Sequence, residues 1–342
     1  MNVFIIAEAG VNHNGDVHIA KGLIDAAVEA GADAVKFQTF RAEKIVTKTS
    51  KKADYQVRNT GLDESQFSML RKLELSESAH RDLFTYCAER DIMFMSTPFD
   101  EGSADFLDGL GMSIFKIPSG EITDKPLIVH IAAKKKPVIL STGMSYVEEV
   151  EKAVGWITGV WGDKQNSPRL TLLHCVSNYP ADTADVNLLA MTTMKERLGF
   201  PVGFSDHTMG TDVTAAAVAL GASVIEKHFT LDRTMEGPDH KASLEPAELR
   251  QMVKAIRNIE KALGDGIKRP AASEGPLREI ARKSLVAARP VDAGAVITFN
   301  DIAVKRPGTG IPPEFMETVI GKKAVRNIEE DTLIVWEDLK DA

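Results

Sequence analysis

Two periodicities alternate along this chain. Short runs rich in β-branched and other apolar residues recur at FIIAEAG (4–10), AVKFQTF (34–40), IMFMSTPF (92–99) and IFKIPSG (114–120). They continue at PVILSTGM (137–144), LTLLHCVS (170–177), PVGFSDHT (201–208) and SVIEKHFT (223–230). Between them lie stretches such as IAKGLIDAAVEAGA, SAHRDLFTYCAER, VEEVEKAVGWITGVWG and VTAAAVALGA, and the last run is followed by PAELRQMVKAIRNIEKALGD. Apolar residues at three- and four-residue spacing in these stretches predict helices. Eight strand–helix units in about 265 residues predict an α/β chain folded as a (β/α)8 TIM barrel. A doubly wound open sheet is the alternative, but it calls for a glycine-rich phosphate fingerprint after the first strand, and AEAGVNHNGD is a poor one.

Two interruptions break the alternation. The connection from Arg41 to about Ser76 is far longer than an ordinary strand–helix loop and carries Tyr55 and Gln56. It is expected to fold over the barrel mouth as a lid or substrate wall. The second interruption, GDGIKRPAASEGPLRE (264–279), reads as a Gly/Pro/Ser linker. Beyond it the pattern changes to KSLVAARPV, AVITFNDIAVKRP, KKAVRNI and DTLIVWEDL, short strands without barrel helices. The expected division is a catalytic barrel over 1–265, a linker over 266–282 and a small β-rich domain over 283–342. A module of that size rarely stabilises itself well and is expected to dock on something.

Active sites of such barrels sit at the C-terminal ends of the strands. The polar residues collect there: Glu8, Lys36, Gln38, Ser96, Thr97, Lys116, Ser119, Glu121, Ser141, Thr142, His174, Ser205, His207, Lys227 and His228. Lysines at 36 and 116, inside otherwise apolar runs, need an anionic partner, which points to a small phosphorylated or carboxylated substrate. The stretch from Gly203 to His240 adds His207 and His228 at the tips of neighbouring strands, with Asp239 following in a Gly-Pro turn. Two such imidazoles can converge on one metal ion and leave positions open for substrate oxygens; the alternative is that each His caps its strand by bonding a loop carbonyl.

Composition narrows the class. The 342 residues are 44% hydrophobic, enough for a sizeable core. A net charge of −8 without an offsetting basic block argues against a nucleic-acid partner. Cys87 and Cys175 are far apart and make no metal or redox spacing, as expected of buried thiols in a reducing cytoplasm. MNVFIIAEAG lacks the basic start and long apolar core of a signal peptide, and no apolar run approaches ~18 residues, so a soluble cytoplasmic protein with no membrane partner is expected.

Read together, IIAEAGVNHNGD, KFQTF, STPFD, FKIPSGEI, LSTGM, GFSDHT, VIEKHFTLDR and GPDHKASLEP resemble the bacterial sialic acid synthases and their relatives that make other nonulosonic acids. RKSLVA and KRPGTGI are similar to an antifreeze-like (SAF) domain, so the resemblance covers essentially the whole chain. It implies condensation of phosphoenolpyruvate with an N-acylated mannosamine-type sugar, and a divalent metal (manganese, magnesium or cobalt). It also implies a domain-swapped homodimer in which one subunit's antifreeze-like domain closes the other's barrel. Position by position, it implies that His207 and His228 bind the metal and that Lys36, Thr97, Lys116, Ser119, Ser141 and Ser205 hold the phosphate and carboxylate of phosphoenolpyruvate. Glu8, Gln38, Tyr179 and Asp239 would hold the sugar, and Arg306 of the partner subunit would reach its N-acyl group. In the sixth strand HCVSNYP offers Ser177 or Asn178 where relatives often carry Asn after Cys.

The chemistry places a further demand on the chain. The methylene carbon of phosphoenolpyruvate attacks the aldehyde of the open-chain sugar, water traps the positive enol carbon, and the hemiketal phosphate collapses to release phosphate. Glu121, just past Ser119 at the mouth of the fourth strand, is placed to take the proton of that water; the alternative is that it merely pairs with Lys116. KFQTF, the DYQ segment and RKSLVA resemble synthases of N,N′-diacetyllegionaminate, whereas many bacterial N-acetylneuraminate enzymes, which act on N-acetylmannosamine, read KHQTH; N-acetylneuraminate synthases with KFQ also exist, so that enzyme is the alternative. A metal-dependent pyruvate aldolase would need no phosphate site. A role for the C-terminal domain in binding ice or a surface would want a regular flat-face repeat that this domain lacks.

Overall fold

Each of the eight apolar runs forms a parallel strand in the computed structural model, which describes residues 2–61, 64–162 and 169–342. The strands are β1 (Phe4–Gly10), β2 (Ala34–Thr39), β3 (Met93–Pro98), β4 (Phe115–Ile117), β5 (Val138–Ser141), β6 (Leu170–Cys175), β7 (Val202–Asp206) and β8 (Val224–His228). They pair in the order β3-β2-β1-β8-β7-β6-β5-β4, and β3 packs beside β4 to complete the ring. Eight helices alternate with them: α1 (Val17–Ala30), α2 (Glu77–Glu89), α3 (Glu101–Leu110), α4 (Lys125–Ala133), α5 (Val147–Trp161), α6 (Leu189–Leu198), α7 (Asp212–Ala219) and α8 (Pro246–Leu263). The helix ends follow local chemistry. Asp16 accepts the free N–H groups of His18 and Ile19 at the start of α1, and Gly31 closes that helix at φ 80°, a conformation that costs a side chain dearly.

Strand alternation builds two cores. Outward residues such as Ile5, Val35, Phe94 and Phe115 pack under the helices. Inward residues Ile6, Ala34, Met95, Ile139, Leu173 and Val224 plug the barrel's interior. Two residues further along five of these six strands the same inward row turns polar, at Glu8, Lys36, Thr97, Ser141 and Glu226. Gly203 belongs to the inward row of β7 because a Cβ there would run into Leu173 and the backbone of Val224.

The connection 41–76 contains short helices at Ala42–Ile45, Asp54–Thr60 and Gln66–Leu73. Asn59 Nδ2 donates to Pro238 O at 2.6 Å, and Ala42 N donates to Glu74 Oε1 at 2.7 Å, so this cover is tied to the barrel and to itself.

Residues 265–342 form a second compact unit, with its own core of Leu285, Val291, Ile297, Ile311, Ile328 and Ile334. It pairs β9 (Ser284–Ala287) with β10 (Ile302–Lys305) and β11 (Lys323–Ala324) with β12 (Leu339–Lys340), both antiparallel. The stretch expected as a linker, 266–282, is not simply extended. It holds the helix α9 (Gly275–Ala281), and Glu279 O accepts the N–H of Gly308 at 2.7 Å, so the stretch belongs to the second unit. Among the described residues no helix is long and apolar enough to cross a membrane.

Candidate active site

The inward rows converge on a cavity of about 480 Å³ at the C-terminal ends of the strands, roofed by the cover. Its floor is a buried set of four charges. Lys36 Nζ lies 2.7 Å from Glu8 Oε2 and 3.6 Å from Glu226 Oε2, and Lys116 Nζ lies 3.4 Å from Glu226 Oε1. Burial pushes Glu226 up, but Lys116 and Lys36 together outweigh it and hold that carboxyl below its usual range. Glu8 lacks that surplus of cations, and burial carries it up to about 7. Burial likewise lowers Lys116, whereas for Lys36 the two carboxylates overcome burial and raise it. Lys36 also donates to Thr97 Oγ1 at 2.9 Å. Two lysines at the bottom of a pocket lined with Ser and Thr hydroxyls give it the donors a small anion would need, and in this structure both ammonium groups are paired with the carboxylates of Glu8 and Glu226.

Beside the floor stand the two histidines, ring centroids 5.5 Å apart. His207 Nδ1 lies 2.6 Å from Val176 O, which can only accept, so the ring carries its proton there and turns the Nε2 lone pair to the cavity. Ser205 Oγ, 3.3 Å from that Nε2, donates instead to Glu226 Oε1 at 2.8 Å. Burial lowers His207 to about 4 and carries His228 well below 6.5, so both are neutral near pH 7. His228 Nδ1 is buried without a hydrogen bond, 3.9 Å from Asp239 Oδ2, and burial raises Asp239 to about 6. Tyr179 stacks on His207 at 4.1 Å between centroids and meets Tyr55 of the cover at 5.1 Å.

The structure gathers Glu8, Lys36, Gln38, Thr97, Lys116, Ser119, Glu121, Ser141, Tyr179, Ser205, His207, His228 and Asp239 around this one cavity. Ser177 is on its wall, whereas Asn178 turns to the backbone and accepts the N–H of Tyr179 at 3.2 Å. The wall is tight at β5. A Cβ on Gly143 would collide with Ser177 Oγ and lie 2.9 Å from Ser119 Oγ, which accepts the Gly143 N–H at 3.0 Å. Glu121 has no ion pair among the described residues, because Lys116 is taken by Glu226; burial, then Asp124, raises its carboxyl. Arg306 belongs to the C-terminal unit, where it is exposed just past β10.

Four residues expected at the mouth point the other way. Ser96 bonds Thr39 Oγ1 at 2.7 Å, Thr142 donates to Leu173 O at 2.9 Å, and His174 Nε2 lies 2.6 Å from Val186 O. Lys227 is wholly buried behind the sheet, 2.9 Å from Asp206.

The NeuB family matches residues 23–268, and the SAF domain matches residues 282–340. The chain belongs to the NeuB family. N,N′-diacetyllegionaminic acid synthase of Legionella pneumophila is 48% identical over 340 residues, covering 99% of this chain and 95% of that protein. The enzyme of the same name from Campylobacter jejuni is 50% identical over 330 residues, covering 96% of this chain and 98% of that one. Among solved structures, N-acetylneuraminic acid (sialic acid) synthetase from Leptospira borgpetersenii superposes with a TM-score of 0.71 at 38% identity, covering 81% of this chain and 90% of that chain.

Within this NeuB barrel the residue that sequence reading passed over is Glu226. It touches both floor lysines and Ser205. The signal was the period of two: whatever row holds His228 also holds Glu226 and excludes Lys227.

Proposed function

We propose that this chain condenses phosphoenolpyruvate with 2,4-diacetamido-2,4,6-trideoxymannose and water, giving N,N′-diacetyllegionaminate and inorganic phosphate. The observation that carries the reading is the paired-lysine floor beside two neutral imidazoles, in a NeuB chain 48–50% identical to diacetyllegionaminic acid synthases and 38% identical to a sialic acid synthetase. Lys36 and Lys116, with Thr97, Ser119, Ser141 and Ser205, hold the phosphate and carboxylate of phosphoenolpyruvate. Glu8, Gln38, Tyr179 and Asp239 hold the open-chain sugar, its aldehyde carbon facing the methylene carbon. A C–C bond forms between those carbons. The aldehyde oxygen becomes an alkoxide as that bond forms. Water then adds to the cationic enol carbon and gives one proton to Glu121, which passes it to the alkoxide. As the hemiketal collapses to the ketone, the C–O bond to phosphate breaks and the hydroxyl proton leaves with the phosphate.

The two imidazoles suit a divalent cation. His207 presents a lone pair fixed by a carbonyl behind it, both rings are neutral, and no third His, Cys, Asp or Glu joins them among the described residues. Two protein ligands leave room for oxygen donors. Manganese, magnesium or cobalt held there would supply Lewis-acid polarisation of the aldehyde. Removal of metal with a chelator should abolish turnover, and His207→Ala should bind less than a tenth of the wild-type metal while melting as a folded protein. The chain acts as a homodimer, with Arg306 of the partner subunit reaching the sugar's acyl group.

The deciding experiment supplies phosphoenolpyruvate, or pyruvate in its place, with each of two sugars, the diacetamido-trideoxy sugar and N-acetylmannosamine, and follows phosphate release and product mass. One phosphate per condensation with the first sugar supports the reading. Product formed from pyruvate without phosphate release would make the protein an aldolase, and preference for N-acetylmannosamine would make it an N-acetylneuraminate synthase.

A further inference from the structure

The cavity is not polar throughout. Above Lys36 and Thr97, where β2 and β3 end, one flank is carbon. Lys36, Gln38 and Phe40 follow one another at two-residue steps and all line the cavity, so this row runs from a charge through an amide to an aromatic ring. Phe99, just past β3, meets Phe40 edge to face, centroids 5.9 Å apart at 87°. Ile45, Met69, Leu70 and Leu73 come down to the same flank from the cover. Phe40, Met69 and Leu73 are buried and fasten the cover to the barrel as an apolar cluster of their own. Ile45, Leu70 and Phe99 are only half-buried, and they leave carbon surface facing the cavity that a ligand's carbon would favourably cover.

We propose that this flank is the subsite for the apolar groups at the far end of the sugar, the C6 methyl and the methyl of the C4 acetamide, with Phe40 as the residue through which the barrel itself shapes it. The inference rests on the condensation proposed above. Gln38, one step below Phe40 in the same row, is among the residues that hold the sugar there, so the flank lies along the sugar's length rather than at the anion floor. N-acetylmannosamine carries hydroxyls at C4 and C6. Against this wall they would shed water and find no partner, which in an apolar pocket discriminates by roughly 10²-fold. Of the two aromatics in KFQTF, Phe37 is wholly buried on the helix side of the sheet, 5.9 Å from Phe94, and is not in the cavity wall. Phe40 is therefore the aromatic of that motif that reaches the cavity wall.

The test compares kcat/KM for both sugars, and KM for phosphoenolpyruvate, in wild type, Phe40→His, Phe40→Leu and Leu70→Gln, with a melting curve for each. Phe40→His should lower kcat/KM for the diacetamido-trideoxy sugar about 10-fold or more and cost N-acetylmannosamine less, so that the ratio falls. Phe40→Leu, still apolar, should keep the ratio within a few-fold. Leu70→Gln moves the ratio in the same direction as Phe40→His, and it decides the matter if Phe40→His fails to fold. An equal loss for both sugars, or an unchanged ratio in folded polar variants, overturns the subsite. Wild-type preference for N-acetylmannosamine overturns the subsite yet leaves the condensation standing. Turnover of neither sugar by wild type overturns both.

Discussion

At the scale of single residues, Glu121 gives the sharpest test of the chemistry. It is on the short 3-10 turn Ser119–Glu121 after β4, lines the cavity and carries a carboxyl raised by burial. The pairing with Lys116 that could have explained it away is absent, since Lys116 is engaged by Glu226 at 3.4 Å. Glu121→Gln keeps the shape and removes the proposed base. It should lower kcat by roughly 10²-fold or more while KM for phosphoenolpyruvate changes little, as steady-state kinetics will show. A variant that loses affinity and keeps its maximal rate would make Glu121 a binding residue instead. Sequence reading reached Glu121 because it followed a strand end, but it could not see that Glu226 frees it, because that depends on which of two adjacent residues faces inward.

At the scale of elements, strand alternation decides what was legible. All eight strands could be read from apolar runs, because each is buried on both faces and so nearly continuous in Val, Ile, Leu and Phe. The same continuity hides which face a polar residue takes. Lys227 was expected at the mouth, yet in register with Asp206 on β7 it points out of the barrel, with both side chains fully buried. Asp206 also accepts from Thr208 N and Oγ1 at 2.8 Å and from Thr214 Oγ1 at 2.6 Å, and Lys227 donates to Thr208 O at 2.5 Å. The pair thus clamps β7 to β8 immediately beside His207 and His228. Lys227→Ala strands a buried carboxylate and should cost about 3–5 kcal/mol of stability in chemical denaturation. Lys227→Ala and Asp206→Ala together should cost less than the sum of the two single changes. Equal additivity would show that the pair is not a unit.

At the scale of the whole molecule, buried histidines set the acid limit and the second unit carries the proposed assembly. Burial lowers His13 and His240 to about 4, and lowers His80 as well, against about 6.5 in an unfolded chain. A lowered histidine favours the folded state above the unfolded value, and that advantage is lost as pH falls from 6.5 toward 4, where only the unfolded chain takes up protons. Glu8 at about 7 and Asp239 at about 6 act in the opposite sense, but the neutral histidines, His207 and His228 among them, outnumber them. Melting temperature should therefore fall steeply between pH 6.5 and 4; a flat profile would mean these rings are not neutral and buried in solution. The C-terminal unit was legible as a change of pattern near 265, though not its helix α9, because Gly and Pro at 275 and 276 read as a break and in fact open a helical turn. Whether that unit serves its own barrel or a neighbour's can be decided with two inactive variants, Arg306→Ala and Glu121→Ala, co-expressed with different tags. If Arg306 acts across a two-fold dimer, each mixed dimer holds one site with both residues intact, and random pairing restores about a quarter of wild-type sites. If Arg306 acts within its own chain, every site carries a lesion and the mixture stays inactive. Activity that co-purifies with both tags is the expected result. Mixed dimers captured by both tags and devoid of activity would assign Arg306 to its own barrel.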